Sequence, residues 1–241
     1  DAFDGDRGAI VKRSSSSSNR LFMITHAGAA LDSLTLTNGF IVAGYGGGLL
    51  VSNGTVRNCA VVGNYSRQQF GGGVYMVAGT LTNCLVAGNW SDSSPFSDNE
   101  GGGIYMLNGL VTDCTISNNW VSGWHRTGGG VTMVNGLIRN SIFVSNRVQG
   151  AGSGGGCRGG GVYLAAGTVE NCLFDGNAVK DSGYLPMGGG IYMAAGTVRN
   201  CTIFGQTINV GEPAPTNPAE VAAGRTLPQT YWHFTRPDDD A

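Results

Sequence analysis

Six glycine triplets, beginning at Gly46, Gly71, Gly101, Gly128, Gly159 and Gly188, set the frame within which this chain must fold. Thirteen residues after each start stands Cys59, Cys84, Cys114, Ser141, Cys172 or Cys201, and five residues further on stands Asn64, Asn89, Asn119, Asn146, Asn177 or Gln206. The spacing inside this 19-residue unit never changes, whereas the joining segments 65–70, 90–100, 120–127, 147–158 and 178–187 vary from 6 to 12 residues. A fixed unit with insertions confined to one corner is the mark of a solenoid, because each coil must stack in register while loops bulge outward freely. The period of 25 to 31 residues fits one coil of a parallel β-helix. Leucine-rich repeats share that length but not this Leu spacing, and Gly triplets among β-branched residues oppose helical repeats.

Side-chain alternation orients the coil. Leu49, Val74, Ile104, Val131, Val162 and Ile191 follow the triplets, and two residues later come Val51, Met76, Met106, Met133, Leu164 and Met193. A period of two turns both columns inward. Val56, Leu81, Val111, Ile138, Val169 and Val198 begin a second inward set, joined by the Cys column and by Val61, Val86, Ile116, Phe143, Phe174 and Ile203. Residues 22–39 read as a degenerate earlier coil, with two extra residues around His26 to Gly28. The expected fold is therefore all-β: a right-handed parallel β-helix of about seven coils over 21–206. Residues 1–20 are expected to be an arm or partial first coil. The tail 207–241, which holds five of the seven prolines, is expected to be a cap, linker or inter-subunit strap.

Composition removes several function classes. Net charge is −2, with 14 basic and 16 acidic residues spread singly, so no footprint for nucleic acid is present. No apolar run approaches the roughly 20 residues of a membrane-spanning helix. The sequence opens at Asp1 rather than Met, which reads as a processed or excised segment. Only Lys12 and Lys180 are lysines, while Ser, Thr, Asn and Gly abound, a low-charge polar surface that suits an extracellular or cell-surface location.

Each recurrent column has a structural and a functional reading. The Asn column is expected to hydrogen-bond along the stack in place of bonds that the turn leaves open. The Cys column reads first as buried free thiols filling a narrow corner, with disulfides and a metal site as lesser alternatives. Cys157 lies in the Gly-rich segment 150–161, so it is expected to be more exposed and a candidate for intermolecular pairing. Tyr75, Tyr105, Tyr163 and Tyr192 fall between inward positions and predict an exposed stripe. Such a stripe packs across strands with or without loops folded over the rings, binds sugar or protein, or is buried against another rod. Tyr65, Trp90 and Trp120, followed by Arg147, form one more column, read as loop anchors or as a carbohydrate platform.

The tetrapeptides ending each unit carry a resemblance. Phe143-Val-Ser-Asn146 and Phe174-Asp-Gly-Asn177, with close variants Ile116 to Asn119, Val86 to Asn89 and Val61 to Asn64, accompany Gly-Gly-Val or Gly-Gly-Ile at the unit's start. Over about 40–206 this resembles the repeats of the chlamydial polymorphic outer-membrane proteins, marked by Gly-Gly-Ala-Ile and Phe-x-x-Asn. The resemblance implies a β-helical passenger outside the cell, with adhesion as its role. The present sequence departs from that family in carrying no membrane β-barrel pattern.

Catalysis on such a scaffold needs clustered carboxylates, as an acid and base pair or as calcium ligands. Outward acids within the units are only Asp113, Glu170 and Asp175, and Glu170 stands between Arg139 and Arg199. Asp92, Asp98 and Glu100 share one joining segment, a weak calcium signal. His26, His125 and His233 share no coil position. The expectation is thus a non-enzyme without metal or cofactor, a polysaccharide lyase or hydrolase being the lesser reading. The first function expected is an extracellular structural subunit that associates with itself end to end as a filament or surface layer, with Tyr231, Trp232 and Phe234 of the tail, and Cys157, as assembly contacts. The alternative is an adhesin-like module binding glycan or a cell-surface protein through the Tyr stripe, Trp90 and Trp120.

Overall fold

The computed structural model describes residues 8–14, 17–92, 99–123, 126–150, 156–181 and 186–210. These form a parallel β-helix in which each coil gives one short strand to each of four sheets. The first sheet runs from Phe22–Ile24 to Ile191–Met193 and has seven strands, one per coil. The second runs from Ala30–Asp32 to Thr197–Arg199, the third from Ile10–Lys12 to Thr202–Phe204, and the fourth from Phe40–Val42 to Thr207–Val210. Partners such as Val74 and Ile104, or Phe143 and Phe174, pair in parallel one coil apart. No helix occurs among the described residues.

The inward columns are buried as the alternation requires. Leu49, Val74, Ile104, Val131 and Val162 are all fully buried, as are Val61, Val86, Ile116, Phe143 and Phe174. Each such side chain contributes about 1.5–3 kcal/mol relative to exposure. The rings of Phe143 and Phe174 stack at 4.6 Å and 6°, so even aromatics repeat in register along the axis.

The triplet is explained by three separate demands. Its first glycine turns the chain at positive φ, as at Gly71 (73°). A Cβ on the second, at Gly72, would lie 2.3 Å from the Trp90 carbonyl oxygen and 2.4 Å from that of Gly102, both immovable backbone. A Cβ on the third, at Gly73, would lie 2.8 Å from the amide carbon of Asn89. Gly-Gly-Gly and Asn recur together because they touch.

The segments directly after the Asn column differ from expectation. Rather than opening at once into variable loops, Tyr65–Arg67, Trp90–Asp92, Trp120–Gly123, Arg147–Gly150 and Ala178–Asp181 form the regular fourth sheet. Strand alternation continues there, burying Ser66, Ser91, Val121, Val148 and Val179, and length variation begins only afterwards. The coil consequently extends through Val210, past the expected limit at 206. At the other end Ile10–Lys12 pairs with Thr35–Thr37, and Asn19 bridges Phe40 in antiparallel fashion, which makes half of an earlier coil.

Candidate functional site

Two ladders run the length of the stack. Asn89 donates its backbone N–H and its Nδ2 to Oδ1 of Asn119, both at 3.0 Å, and its Nδ2 also donates to the Val61 carbonyl at 2.8 Å. The same pattern recurs at Asn64, Asn119 and Asn146, each fully buried. It ends where Asn177 donates its N–H to Oε1 of Gln206 at 3.1 Å. Every amide is spent on its neighbours. In the Cys column, Cys59, Cys84, Cys114 and Cys172 donate from Sγ to the carbonyl two residues earlier at 3.1 to 3.2 Å, and Ser141 does the same from Oγ at 2.8 Å. None of the six cysteines is joined in a disulfide. Hydrogen bonding to the next thiol, then burial, pushes Cys59 well above the usual thiol range; burial pushes Cys172 up to about 12.

The aromatic columns use their ring faces on each other. Tyr75 and Tyr105 stack at 5.3 Å and 7°, Tyr45 covers Tyr75 at 4.5 Å, and Phe70 covers Tyr105 at 4.8 Å. Tyr105 is therefore buried, because a residue just before a triplet folds over it, the loop cover that the packing reading of the stripe allowed. Thr132 interrupts the column; beyond it Tyr163 stacks on Tyr192 at 5.4 Å, with the Arg158 guanidinium 5.3 Å from the Tyr192 ring. On the fourth sheet Phe40, Tyr65, Trp90 and Trp120 form a continuous pile with centroid spacings of 5.1, 4.5 and 5.5 Å. Arg13 closes one end over Phe40 and Arg147 the other over Trp120, at 5.3 and 5.2 Å. A sugar platform needs a free ring face. This pile offers solvent its edges, Trp120 being the most exposed at 37%. An open groove of about 320 Å³ runs beside it, lined by Asn118, Trp120, Ser145 and Arg147 among others.

Cys157 is a correction. Rather than lying exposed in a glycine-rich loop, it is fully buried in a small extra sheet formed by Asn99–Glu100, Arg126–Thr127 and Cys157–Arg158. It packs with Val148 and Val179 of the fourth sheet, apart from the main core. Arg126, 2% exposed, donates from Nη1 to Cys157 Sγ at 3.3 Å. The strand forms because coils that carry long insertions return to the triplet through two further paired residues.

The two ends are unlike. The first full coil keeps its inward residues covered, with Ile24, Leu31 and Leu36 at 6, 8 and 0% exposure. In the last coil the inward Met193 and Ile203 are 46 and 39% exposed, beside Phe204 at 51% and Ile208 at 49%. Among the described residues nothing pairs with the outer edges of its four strands. Tyr231, Trp232 and Phe234 lie outside the described residues.

The acids are engaged in surface ladders. Glu170 accepts from Arg199 Nε at 2.8 Å, and Asp113 accepts from Thr112 at 2.8 Å and from Asn140 at 3.3 Å. Asp92 accepts a 2.5 Å bond from the Tyr65 hydroxyl. Among the described residues no group of three His, Cys, Asp or Glu is placed to hold a metal, and no helix is long and apolar enough to cross a membrane.

Two columns went unread in the sequence. Asn58, Asn83, Asp113, Asn140, Asn171 and Asn200, directly before the Cys column, all turn the chain at φ of 49 to 56°. Asn and Asp are the side chains that tolerate this conformation, and the repeated Asn-Cys dipeptide was the available signal. Counting back two residues from the triplets would likewise have set Asn99, Arg126 and Cys157 in one column.

Comparison with protein families agrees with this geometry. A model described as a right-handed beta helix region matches residues 35–214, three quarters of the chain. Searches of the curated proteins and of the solved structures returned no match.

Proposed function

The chain belongs to the right-handed β-helix family, and on that basis we propose that it is an extracellular structural subunit that associates with itself end to end. The observation that carries the reading is the last coil, where Met193, Ile203, Phe204 and Ile208 present apolar surface beside four strand edges that are unpaired among the described residues. An uncovered strand edge is a template for another strand, and a stack that closes on a second stack removes it. Strands Phe22–Ile24 and Ala30–Asp32, unpaired on their outer side among the described residues, are the complementary edges at the other end. Repeats resembling those of polymorphic outer-membrane proteins support the cell-surface location.

Adhesion by stacking a sugar on Tyr75, Tyr105, Tyr163, Tyr192, Trp90 or Trp120 is the weaker reading, since their faces are occupied by one another and by Arg147 and Arg158. No catalytic role is included in the proposal. Sedimentation velocity of the full chain over a wide concentration range tests it. Species growing with concentration are expected, and their loss in Ile203→Lys with Phe204→Lys. If the full chain stays monomeric while a chain ending at residue 210 associates, the tail covers that end itself and the proposal fails.

A further inference from the structure

We infer that Cys157 is held as a thiolate by the buried guanidinium of Arg126 and is the site at which this chain accepts covalent modification by small disulfides. The inference stands independently of end-to-end association.

Among the described residues the buried side-chain nitrogen and oxygen atoms without a hydrogen-bond partner are three: Asn99 Oδ1, Arg126 Nε and Arg158 Nε. All lie on the small sheet that carries Cys157. Arg126 and Cys157 are register partners, and the guanidinium is aimed at the sulfur, with Nη1 to Sγ at 3.3 Å. Neither of the described ion pairs, Arg57 with Asp32 and Arg199 with Glu170, involves Arg126. A guanidinium stays protonated in a protein, and a buried cation without an opposite charge is strongly disfavoured. Ionising the thiol supplies that charge at the right place.

The other charged groups nearby are three cations and one carboxylate, Glu100. Arg158 follows Cys157 in its own strand, and Arg147 and Lys180 lie on the adjoining fourth-sheet strands, with side chains exposed on the outer face while Val148 and Val179 turn toward the sulfur. Glu100 occupies the alternate column of the small sheet, in register with Thr127 and Arg158. The ladder thiols make the contrast. Cys59, Cys84, Cys114, Cys172 and Cys201 each donate to a backbone carbonyl, and among the described residues Cys157 is the thiol whose sulfur receives a guanidinium N–H. One thiol of six is thereby set apart chemically.

The step is thiol–disulfide exchange. The Cys157 thiolate attacks one sulfur of a small disulfide, a new S–S bond forms as the old one breaks, and the other half leaves as its thiolate. Because Cys157 is fully buried, the reaction is restricted to small reagents that enter on local opening of this corner.

The test uses the full native chain and the aromatic disulfide dithiodipyridine, followed by the chromophore it releases and by peptide mass mapping. Cys157 is expected to react at least about tenfold faster than any ladder thiol, at a rate nearly constant from about pH 8 to about pH 6. In Arg126→Met that rate should fall about tenfold per pH unit, the behaviour of an ordinary thiol. Should Arg126→Met fail to fold, the ultraviolet thiolate absorbance of wild type minus Cys157→Ser at neutral pH reads the ionisation directly. An unmodified Cys157, a wild-type rate with ordinary thiol pH dependence, or a null difference spectrum overturns the inference.

Discussion

The backbone N–H and the side-chain Nδ2 of Asn119 both donate to Oδ1 of Asn146, at 3.1 and 2.9 Å, with both residues fully buried. One oxygen thus closes two donors of the coil below, and the same amide's nitrogen serves the Ile116 carbonyl at 2.8 Å. Unmade buried bonds of this kind are costly, so the ladder defines register as well as adding stability.

Asn119→Ala should therefore be severe. It deletes the Asn119 side-chain bonds with Asn89 (two), with Asn146 and with the Val86 carbonyl. At about 1 kcal/mol each the loss is about 4 kcal/mol. Gln206→Ala removes bonds with Asn177 and with the Phe174 and Phe204 carbonyls at the half-buried end of the ladder, where water replaces part of them, and should cost less, about 1–2 kcal/mol. Urea unfolding of both variants measures the contrast, and equal costs would contradict a ladder that matters most where it is dry.

Glycine is needed for two distinct reasons, which substitution separates. A Cβ at Gly102 would lie 2.4 Å from the Trp120 oxygen and 2.5 Å from that of Gly129, whereas one at Gly88 meets nothing within 4 Å although φ is 61° there. Gly88→Ala should cost about 1–2 kcal/mol for the left-handed backbone alone. Gly102→Ala should cost clearly more, because neighbouring backbones must part. Thermal midpoints compared under one condition decide the order.

Stability should fall in alkali. Burial pushes the folded Cys172 thiol up to about 12, and Cys59 and Cys84 shift in the same direction. An unfolded thiol titrates near about 8.5. The stability these neutral thiols contribute is complete below that value and is lost as pH rises toward the folded one. The urea midpoint should decline from about pH 9 upward, less steeply in Cys172→Ser, and an unchanged slope in that variant would contradict the assignment.

Cys114→Ser should be mild, within about 1 kcal/mol. Ser141 already occupies this column, fully closed by its bond to the Arg139 carbonyl and by accepting the Cys114 N–H at 3.2 Å. Denaturant unfolding of the variant checks it.

How much of this was legible in the sequence follows from how each residue acts. Val74, Met76, Leu81 and Val86 were legible because burial alternates with period two and repeats every coil. The fourth sheet was hidden because its inward column mixes Ser66, Ser91, Val121, Val148 and Val179, with no shared hydrophobicity to reveal it. Tyr105 was placed on the right side of its strand, yet its burial depends on Phe70, a residue from the variable corner. Cys157 was misjudged because glycine-rich neighbours suggest a loop, while its strand is made by pairing with Arg126 in another coil.

Electron microscopy of the purified full chain at high concentration tests end-to-end association most directly. Seven coils at about 4.8 Å give a single rod of roughly 35 Å. The account predicts rods several times that length with constant width, shortened to single units in the Ile203→Lys, Phe204→Lys variant. Uniform single rods of wild-type protein at every concentration would contradict it.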